Sequence, residues 1–139
     1  MERIEFLKLL GTAGLMACSG CALQSCDDSS TSVPAPPTNV NFTLDLSASA
    51  NSSLLNDGGF VYKGGIIVTR LTSTSYVALS QACTHEGVNV GYSAANGNFL
   101  CPRHGSRFST TGLVLNGPAT RALTKYNTEL TGTNLRVFS

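Results

Sequence analysis

The sequence has no tryptophan, only two histidines and few charged residues. Lys, Arg, Asp and Glu together make up 12% of the 139 residues, and their balance leaves a net charge of +1. Because there is no basic excess to attract phosphates, the composition argues against nucleic acid as a partner. A chain of 139 residues can bury one hydrophobic core but hardly two. We therefore expect a single folded domain.

Long hydrophobic segments are also lacking. Arg3 and Lys8 precede an apolar, glycine-containing run, Leu9–Ala17, which is shorter than the about 20 apolar residues that a membrane-spanning helix needs. This layout is typical of a cleaved signal peptide and predicts that residues 1–26 direct export. Arg3–Lys8 also resembles a twin-arginine signal in part, although one arginine is missing.

The five cysteines form two separate groups, and three of them lie in the first thirty residues. Leu23–Cys26 resembles a lipobox, in which a cysteine thiol receives a lipid; Leu15–Cys18 is an alternative. We favour Cys26 over Cys18 because the polar residues that begin at Asp27 follow it directly. The prediction is therefore an exported lipoprotein on the periplasmic face of a membrane or the cell envelope.

Residues 27–39 contain mostly Ser, Thr and Pro, with Val33 as the single larger apolar side chain. Such a composition is typical of an extended linker. The folded domain is expected to occupy residues 40–139.

The pattern of this domain is all-β. Apolar side chains alternate with polar ones from Val40 to Leu46, the period of a strand with one buried face. No helical period competes with it, and Asn96–Gly97 predicts a tight hairpin turn. The predicted strands are Val40–Leu46, Phe60–Tyr62, Ile66–Leu71, Tyr76–Leu79, Val88–Tyr92, Asn98–Leu100, Tyr126–Leu130 and Leu135–Phe138. Many short strands with frequent turns indicate a sandwich or small barrel.

Both histidines of the chain stand beside the two cysteines of the domain. The first pair is Cys83 and His85, and the second pair, Cys101 and His104, follows after fifteen residues. Thiolate and imidazole are ligands for soft and borderline metals, and the Asn96–Gly97 hairpin can bring the two loops together. The sequence therefore predicts a metal centre formed by two loops.

Several structures are compatible with two cysteines and two histidines. A tetrahedral zinc site needs the same ligand set. A Cys83–Cys101 disulfide is possible in an exported protein but leaves both histidines without a role. A cysteine hydrolase is disfavoured because no thiol is singled out with a base and an oxyanion hole.

The spacing C-x-H, fifteen residues, then C-x-x-H resembles the Rieske iron–sulfur family. The resemblance covers roughly Val40 to the C-terminus and is densest between Cys83 and Ala119. It extends beyond the four ligands to Thr84, Gly87, Pro102, Gly105, Ser106 and Gly117–Pro118–Ala119. It implies an antiparallel β-sheet sandwich with a small cluster-binding subdomain near residues 81–112.

The resemblance also implies a 2Fe-2S cluster. Cys83 and Cys101 would bind the inner iron, and His85 and His104 the outer iron. Ser106 would donate a hydrogen bond to a bridging sulfide, and Pro118 would lie in a loop that covers the cluster. With two neutral imidazoles the oxidised centre is uncharged, whereas four thiolates make it a dianion. Reduction is therefore easier with histidine ligands.

Three positions depart from the quinol-oxidising members of that family. Phe108 stands where those members have a tyrosine that donates to a cysteine sulfur, and Val88 and Arg103 stand where they have a disulfide. These departures predict a potential intermediate within the Rieske span of roughly −150 to +300 mV. Arg103 and Arg107 flank the second ligand loop, where they are either solvated or able to meet an acidic partner.

The function that the resemblance implies is one-electron transfer with a redox partner protein, such as a cytochrome or an oxidoreductase subunit. The protein would act as a membrane-tethered carrier or as the Rieske subunit of a larger oxidoreductase. Direct quinol oxidation and a structural zinc module are the alternatives.

Overall fold

The computed structural model describes residues 32–139. In that part of the chain ten strands form two antiparallel sheets, and a 3₁₀ helix, Ser49–Leu55, lies between the first two strands. The strands are β1 (Asn41–Asp45), β2 (Phe60–Lys63), β3 (Ile66–Thr72), β4 (Ser75–Ser80), β5 (Gly91–Ser93), β6 (Asn98–Leu100), β7 (Arg107–Phe108), β8 (Val114–Asn116), β9 (Lys125–Thr131) and β10 (Asn134–Phe138). The predicted all-β fold is confirmed.

The larger sheet has six strands in the order β1-β10-β9-β4-β3-β2. Along β1, Leu44 is buried whereas Thr43 and Asp45 are exposed, as the alternating pattern predicted. Leu44 pairs with Leu135 of β10, so that two buried leucines face each other across the strands. This sheet forms the base of the domain.

The β3–β4 hairpin is buried on both faces and separates two cores. Ile66 and Val68 belong to the core of the base, whereas Ile67 belongs to a second core that also contains Phe99 and Phe108 of the smaller sheet. A strand with both faces covered carries a continuous apolar run rather than an alternating one. The β-branched run of β3 is therefore explained by the position of this strand between the two cores.

The smaller sheet has four strands in the order β5-β6-β7-β8. The predicted Asn96–Gly97 turn joins β5 to β6, and Gly97 adopts a φ of +62°. The predicted strand Val88–Tyr92 is shorter in the structure and begins at Gly91, because the Val88 carbonyl accepts a hydrogen bond from the N–H of Cys83. Val88 thus belongs to the first ligand loop.

Part of the predicted linker packs against the domain. The hydroxyl of Tyr126 donates to the carbonyl oxygen of Pro37 at 2.8 Å. A Cβ atom at Gly65 or Gly87 would meet Pro37 or Pro34, respectively, at 2.8 Å. A cleft of about 460 Å³ remains along this contact. The predicted signal segment, with Cys18 and Cys26, lies outside the described residues.

None of the helical structure in residues 32–139 has the length and hydrophobicity that crossing a membrane requires.

Candidate metal centre

Two loops with matching backbone geometry hold the four predicted ligands. The first loop, residues 83–88, follows β4, and the second loop, residues 101–106, follows β6. In the first, the N–H of Cys83 donates to the carbonyl of Val88 at 2.8 Å. In the second, the N–H of Cys101 donates to the carbonyl of Ser106 at the same distance of 2.8 Å. The structure therefore presents each cysteine from an equivalent turn.

A glycine closes each of these turns. The N–H groups of Gly87 and Gly105 donate to the carbonyls of Cys83 and Cys101 at 2.8 and 3.1 Å. Their φ angles of +76° and +78° lie in the left-handed region, where a side chain is strained. The two glycines of the motif are thus required by the backbone of the loops.

Burial divides the four ligands into two kinds. The thiols of Cys83 and Cys101 are 0% and 3% exposed and lie in the second core with Phe99 and Phe108. The rings of His85 and His104 are exposed, with their Nδ1 atoms 3.3 Å apart. A group bound by all four residues would have its sulfur end in an apolar layer and its imidazole end at the surface.

The surroundings of Cys83 favour its neutral thiol in the absence of metal. Burial raises the pKa of this thiol above its ordinary value, and the Cys101 side chain raises it further, while the backbone N–H groups of His85 and Glu86 lower it. Because a metal binds the thiolate, occupation of the site must release a proton from Cys83.

A third segment, Asn116–Arg121, links to both ligand loops. The amide of Asn116 donates to the carbonyl of Gly105 at 3.3 Å. The hydroxyl of Thr84 donates to the carbonyl of Arg121 at 2.6 Å. This segment contains Gly117–Pro118–Ala119, so the residues expected to cover the cluster do lie against the loops that hold the ligands.

Ser106 connects the second ligand loop to the same segment. Its side chain is fully buried, and its Oγ accepts a hydrogen bond from the N–H of Ala119 at 2.9 Å. Within residues 32–139 the hydroxyl has no acceptor for its own hydrogen. The hydrogen of Ser106 is therefore available for a further acceptor. Pro118 is exposed beside it.

No pattern in the sequence indicated where Glu86 lies. Its carboxylate lies 3.2 Å from Nη1 of Arg103 and 3.7 Å from Nδ1 of His104, both in the other loop. The ligand-forming atoms of His85, Glu86 and His104 all lie within 4.8 Å of one another. Only the folded arrangement of the loops brings these side chains together.

Among the described residues both cysteines are free thiols, so the Cys83–Cys101 disulfide that the sequence left open is not present. Phe108 is fully buried among the residues that pack around the thiols. The aromatic ring expected at this position therefore lies in the layer that encloses the sulfur end of the site.

The fold and the two loops, each with a buried cysteine and an exposed histidine, define a small β-domain that can hold a metal centre. The family model described as "Rieske [2Fe-2S] domain" matches residues 47–127. The chain belongs to the Rieske [2Fe-2S] domain family.

Named relatives agree with this assignment. The cytochrome b6-f complex iron-sulfur subunit of Synechococcus elongatus is 34% identical over 74 residues, which are 53% of this chain and 41% of the relative. The match thus spans about two fifths of the length of that relative. A crystal structure of the plasma membrane Rieske protein PetC3 from Synechocystis PCC 6803 is 37% identical. It aligns with a TM-score of 0.51 over 58% of this chain and 85% of PetC3.

A further structure shows the fold alone. The ferredoxin of carbazole 1,9a-dioxygenase from Nocardioides aromaticivorans IC177 aligns with a TM-score of 0.55 at 24% identity. The alignment covers 73% of this chain and 98% of the ferredoxin.

The residues present fit the 2Fe-2S cluster that gives the family its name. Two buried thiols and two exposed imidazoles match the unlike ends of such a cluster. The free hydrogen of Ser106 supplies a donor at the buried end. The same ligand set is also compatible with zinc, and the family match favours the cluster.

Proposed function

We propose that this protein transfers single electrons through a Rieske cluster held by Cys83, His85, Cys101 and His104. The observation that carries the proposal is the contrast in burial between the thiols, at 0% and 3% exposure, and the exposed imidazole rings. A bound 2Fe-2S cluster supplies the one-electron redox couple. The protein supplies an apolar enclosure at the thiols and an open edge at the histidines.

Each group of residues has a distinct role in this function. Phe99 and Phe108 keep water away from the thiols and so lower the local dielectric constant. In a low dielectric, the net charge of the bound group has a larger effect on its reduction potential. Ser106 offers a hydrogen bond that favours the more negative, reduced form. His85 and His104 bring the redox group within reach of a partner at the surface.

Metal analysis and spectroscopy test the proposal directly. Protein purified without oxygen is expected to contain about two irons and two acid-labile sulfides per chain. After reduction with dithionite it should show an electron paramagnetic resonance signal. One zinc per chain, or a colourless protein that remains silent after dithionite, would contradict the proposal.

We further propose that the domain is tethered to the outer face of a membrane by a lipid on Cys26, with residues 27–39 between the lipid and the domain. The relatives support a membrane setting, since one is a subunit of the cytochrome b6-f complex and another is named a plasma membrane protein. Incorporation of a radiolabelled fatty acid should be lost in Cys26→Ser. If incorporation is lost in Cys18→Ser instead, the lipid is attached to Cys18.

Two partner relationships fit such a protein. As a carrier or as a subunit of a larger oxidoreductase, it would exchange electrons with a cytochrome or another redox protein. A solved complex of an oxygenase with its ferredoxin is an example of such a pairing among proteins of similar fold.

Direct oxidation of quinol is the second candidate, because the exposed rings of His85 and His104 can contact a small molecule. Mixing the oxidised protein with a quinol analogue distinguishes the two. Bleaching of the visible bands supports direct oxidation. Their persistence, while a reduced partner protein still bleaches them, supports the carrier.

A further inference from the structure

The two ligand loops have few direct links to each other. Within residues 32–139 no backbone hydrogen bond joins residues 83–88 to residues 101–106. The direct polar links are the contact between the two cysteine side chains, the contact between the two histidine rings, and the contacts of Glu86 with Arg103 and His104. Since both thiols and both histidine rings are needed as ligands, the pair Glu86–Arg103 is the link that remains available when the site is occupied.

The surroundings of Glu86 distinguish it from other paired carboxylates. Its side chain is 29% exposed, compared with 63% for Asp57 and 59% for Glu129 in their ion pairs. Its distance to Arg103, 3.2 Å, is shorter than the 3.7 Å between Glu129 and Arg136 and longer than the 2.9 Å between Asp57 and Arg70. Because Arg103 is 54% exposed, water and salt screen the pair in part, and its contribution should fall within the range of a surface ion pair.

We propose that Glu86 and Arg103 are positioning residues, whose ion pair holds the two ligand loops together and balances charge beside the histidine end of the cluster. This inference rests on the proposed electron-transfer function. Neither residue needs to touch a redox partner for this role. Loss of either one should loosen the loops, whereas loss of both should cost less than the sum of the two single losses.

The charges of the pair predict opposite effects on the reduction potential. Reduction adds negative charge to the bound group, so the positive charge of Arg103 favours the reduced form and the negative charge of Glu86 disfavours it. Glu86→Gln should therefore raise the potential, and Arg103→Gln should lower it. A loosened structure alone gives no reason for the two shifts to differ in sign.

Cluster retention is the first measurement. The visible absorbance of the purified holoprotein would be followed in the presence of an iron chelator for wild type, Glu86→Gln, Arg103→Gln and the double variant. We expect each single variant to lose the cluster about two- to fivefold faster, the range for a partly exposed ion pair. The double variant should lose it more slowly than the product of the single effects, and Arg103→Lys should largely restore retention.

The remote pair Glu129–Arg136 provides a matched control. Glu129→Gln removes the same charge at the same kind of side chain in β9, and it should leave cluster retention unchanged. Single variants of the Glu86–Arg103 pair that lose the cluster no faster than Glu129→Gln would overturn the proposal.

Voltammetry at low and at high ionic strength is the second measurement. We expect a raised potential for Glu86→Gln, a lowered one for Arg103→Gln, and smaller shifts of both at 1 M salt, where the Debye length is about 3 Å. Shifts of the same sign in both variants would overturn the proposal. If wild type takes up no cluster, that result would contradict only the electron-transfer function. Thermal unfolding of the metal-free variants would then still test the link between the loops.

Discussion

The hydroxyl oxygen of Ser106 accepts a hydrogen bond from the backbone N–H of Ala119 at 2.9 Å, and this bond joins the second ligand loop to the segment that contains Pro118. Because the oxygen is held from that side, the hydrogen of the hydroxyl is directed elsewhere. The bond thus orients a buried hydroxyl in the loop of Cys101 and leaves its hydrogen available for another acceptor.

Ser106→Ala should lower the reduction potential. The lost donor no longer favours the reduced form, and a hydrogen bond to a charged acceptor is worth enough to shift a one-electron potential by roughly 65–130 mV. Protein-film voltammetry would measure the shift. Ser80→Ala is a matched control, since Ser80 is also buried and also accepts from a backbone N–H, that of Thr124. An equal shift in both variants would contradict the role of Ser106.

Phe108→Tyr should raise the reduction potential, because the added phenol O–H is a donor in the layer that packs around the thiols. Phe99→Tyr is the control, since Phe99 is equally buried, belongs to the same core and lies opposite Phe108 in the β6–β7 register. It should shift the potential less, because the resemblance assigns the donor to position 108. Both variants place a hydroxyl in an apolar layer and should cost some stability. An unchanged or lowered midpoint for Phe108→Tyr would count against this account.

Tyr126→Phe should lower the stability of the fold at pH 7, and this loss should disappear at strongly alkaline pH. Burial raises the pKa of the Tyr126 phenol. A group with a raised folded-state pKa stabilises the fold fully below its unfolded value of about 10 and loses that contribution as the pH rises through the folded value. Wild type should therefore be more stable than the variant by about 1 kcal/mol at pH 7, from the bond to Pro37. The difference should vanish or reverse at strongly alkaline pH.

Thermal unfolding followed by circular dichroism between pH 7 and pH 12 measures this difference. Tyr62→Phe is the control, because its hydroxyl also donates to a backbone carbonyl, that of Val90. Only Tyr126→Phe should also expose residues 33–37 to limited proteolysis. A stability difference that stays constant across the pH range would refute the role of the phenol.

Gly87→Ala should be more disruptive than Gly105→Ala. Both glycines have nearly the same positive φ, so either alanine introduces backbone strain of about 1 kcal/mol. Only at Gly87 would the new Cβ also meet Pro34, at 2.8 Å, whereas at Gly105 the space is open. We expect faster proteolysis of residues 33–37 in Gly87→Ala and not in Gly105→Ala. Equal cleavage would mean that the contact with Pro34 is unimportant.

The ligand loops and most strands could be predicted from the sequence because their signals are local. The strand at Ile66–Leu71 could be predicted from its β-branched residues alone, and the hairpin at Asn96–Gly97 from its turn residues alone. The ligands were evident because the chain has only two histidines, each beside a cysteine. Chemistry and spacing were sufficient in these cases.

Other features depend on contacts that no local pattern records. The 3₁₀ helix Ser49–Leu55 buries only Leu54, and β7 has two residues, too few to show a period. The packing of Pro34 and Pro37 depends on glycines and a tyrosine far along the chain. The pair Glu86–Arg103 likewise arises only when the two loops meet.

The aromatic layer of Phe99 and Phe108 has a consequence for how the protein can work. It separates the thiol side of the centre from solvent, so within the described domain the exposed approach to a bound group is at the two imidazole rings. Under the proposed function, donor and acceptor would then compete for the same small face. The carrier would meet its two partners in turn, and the exchange of partners at that face would limit its turnover.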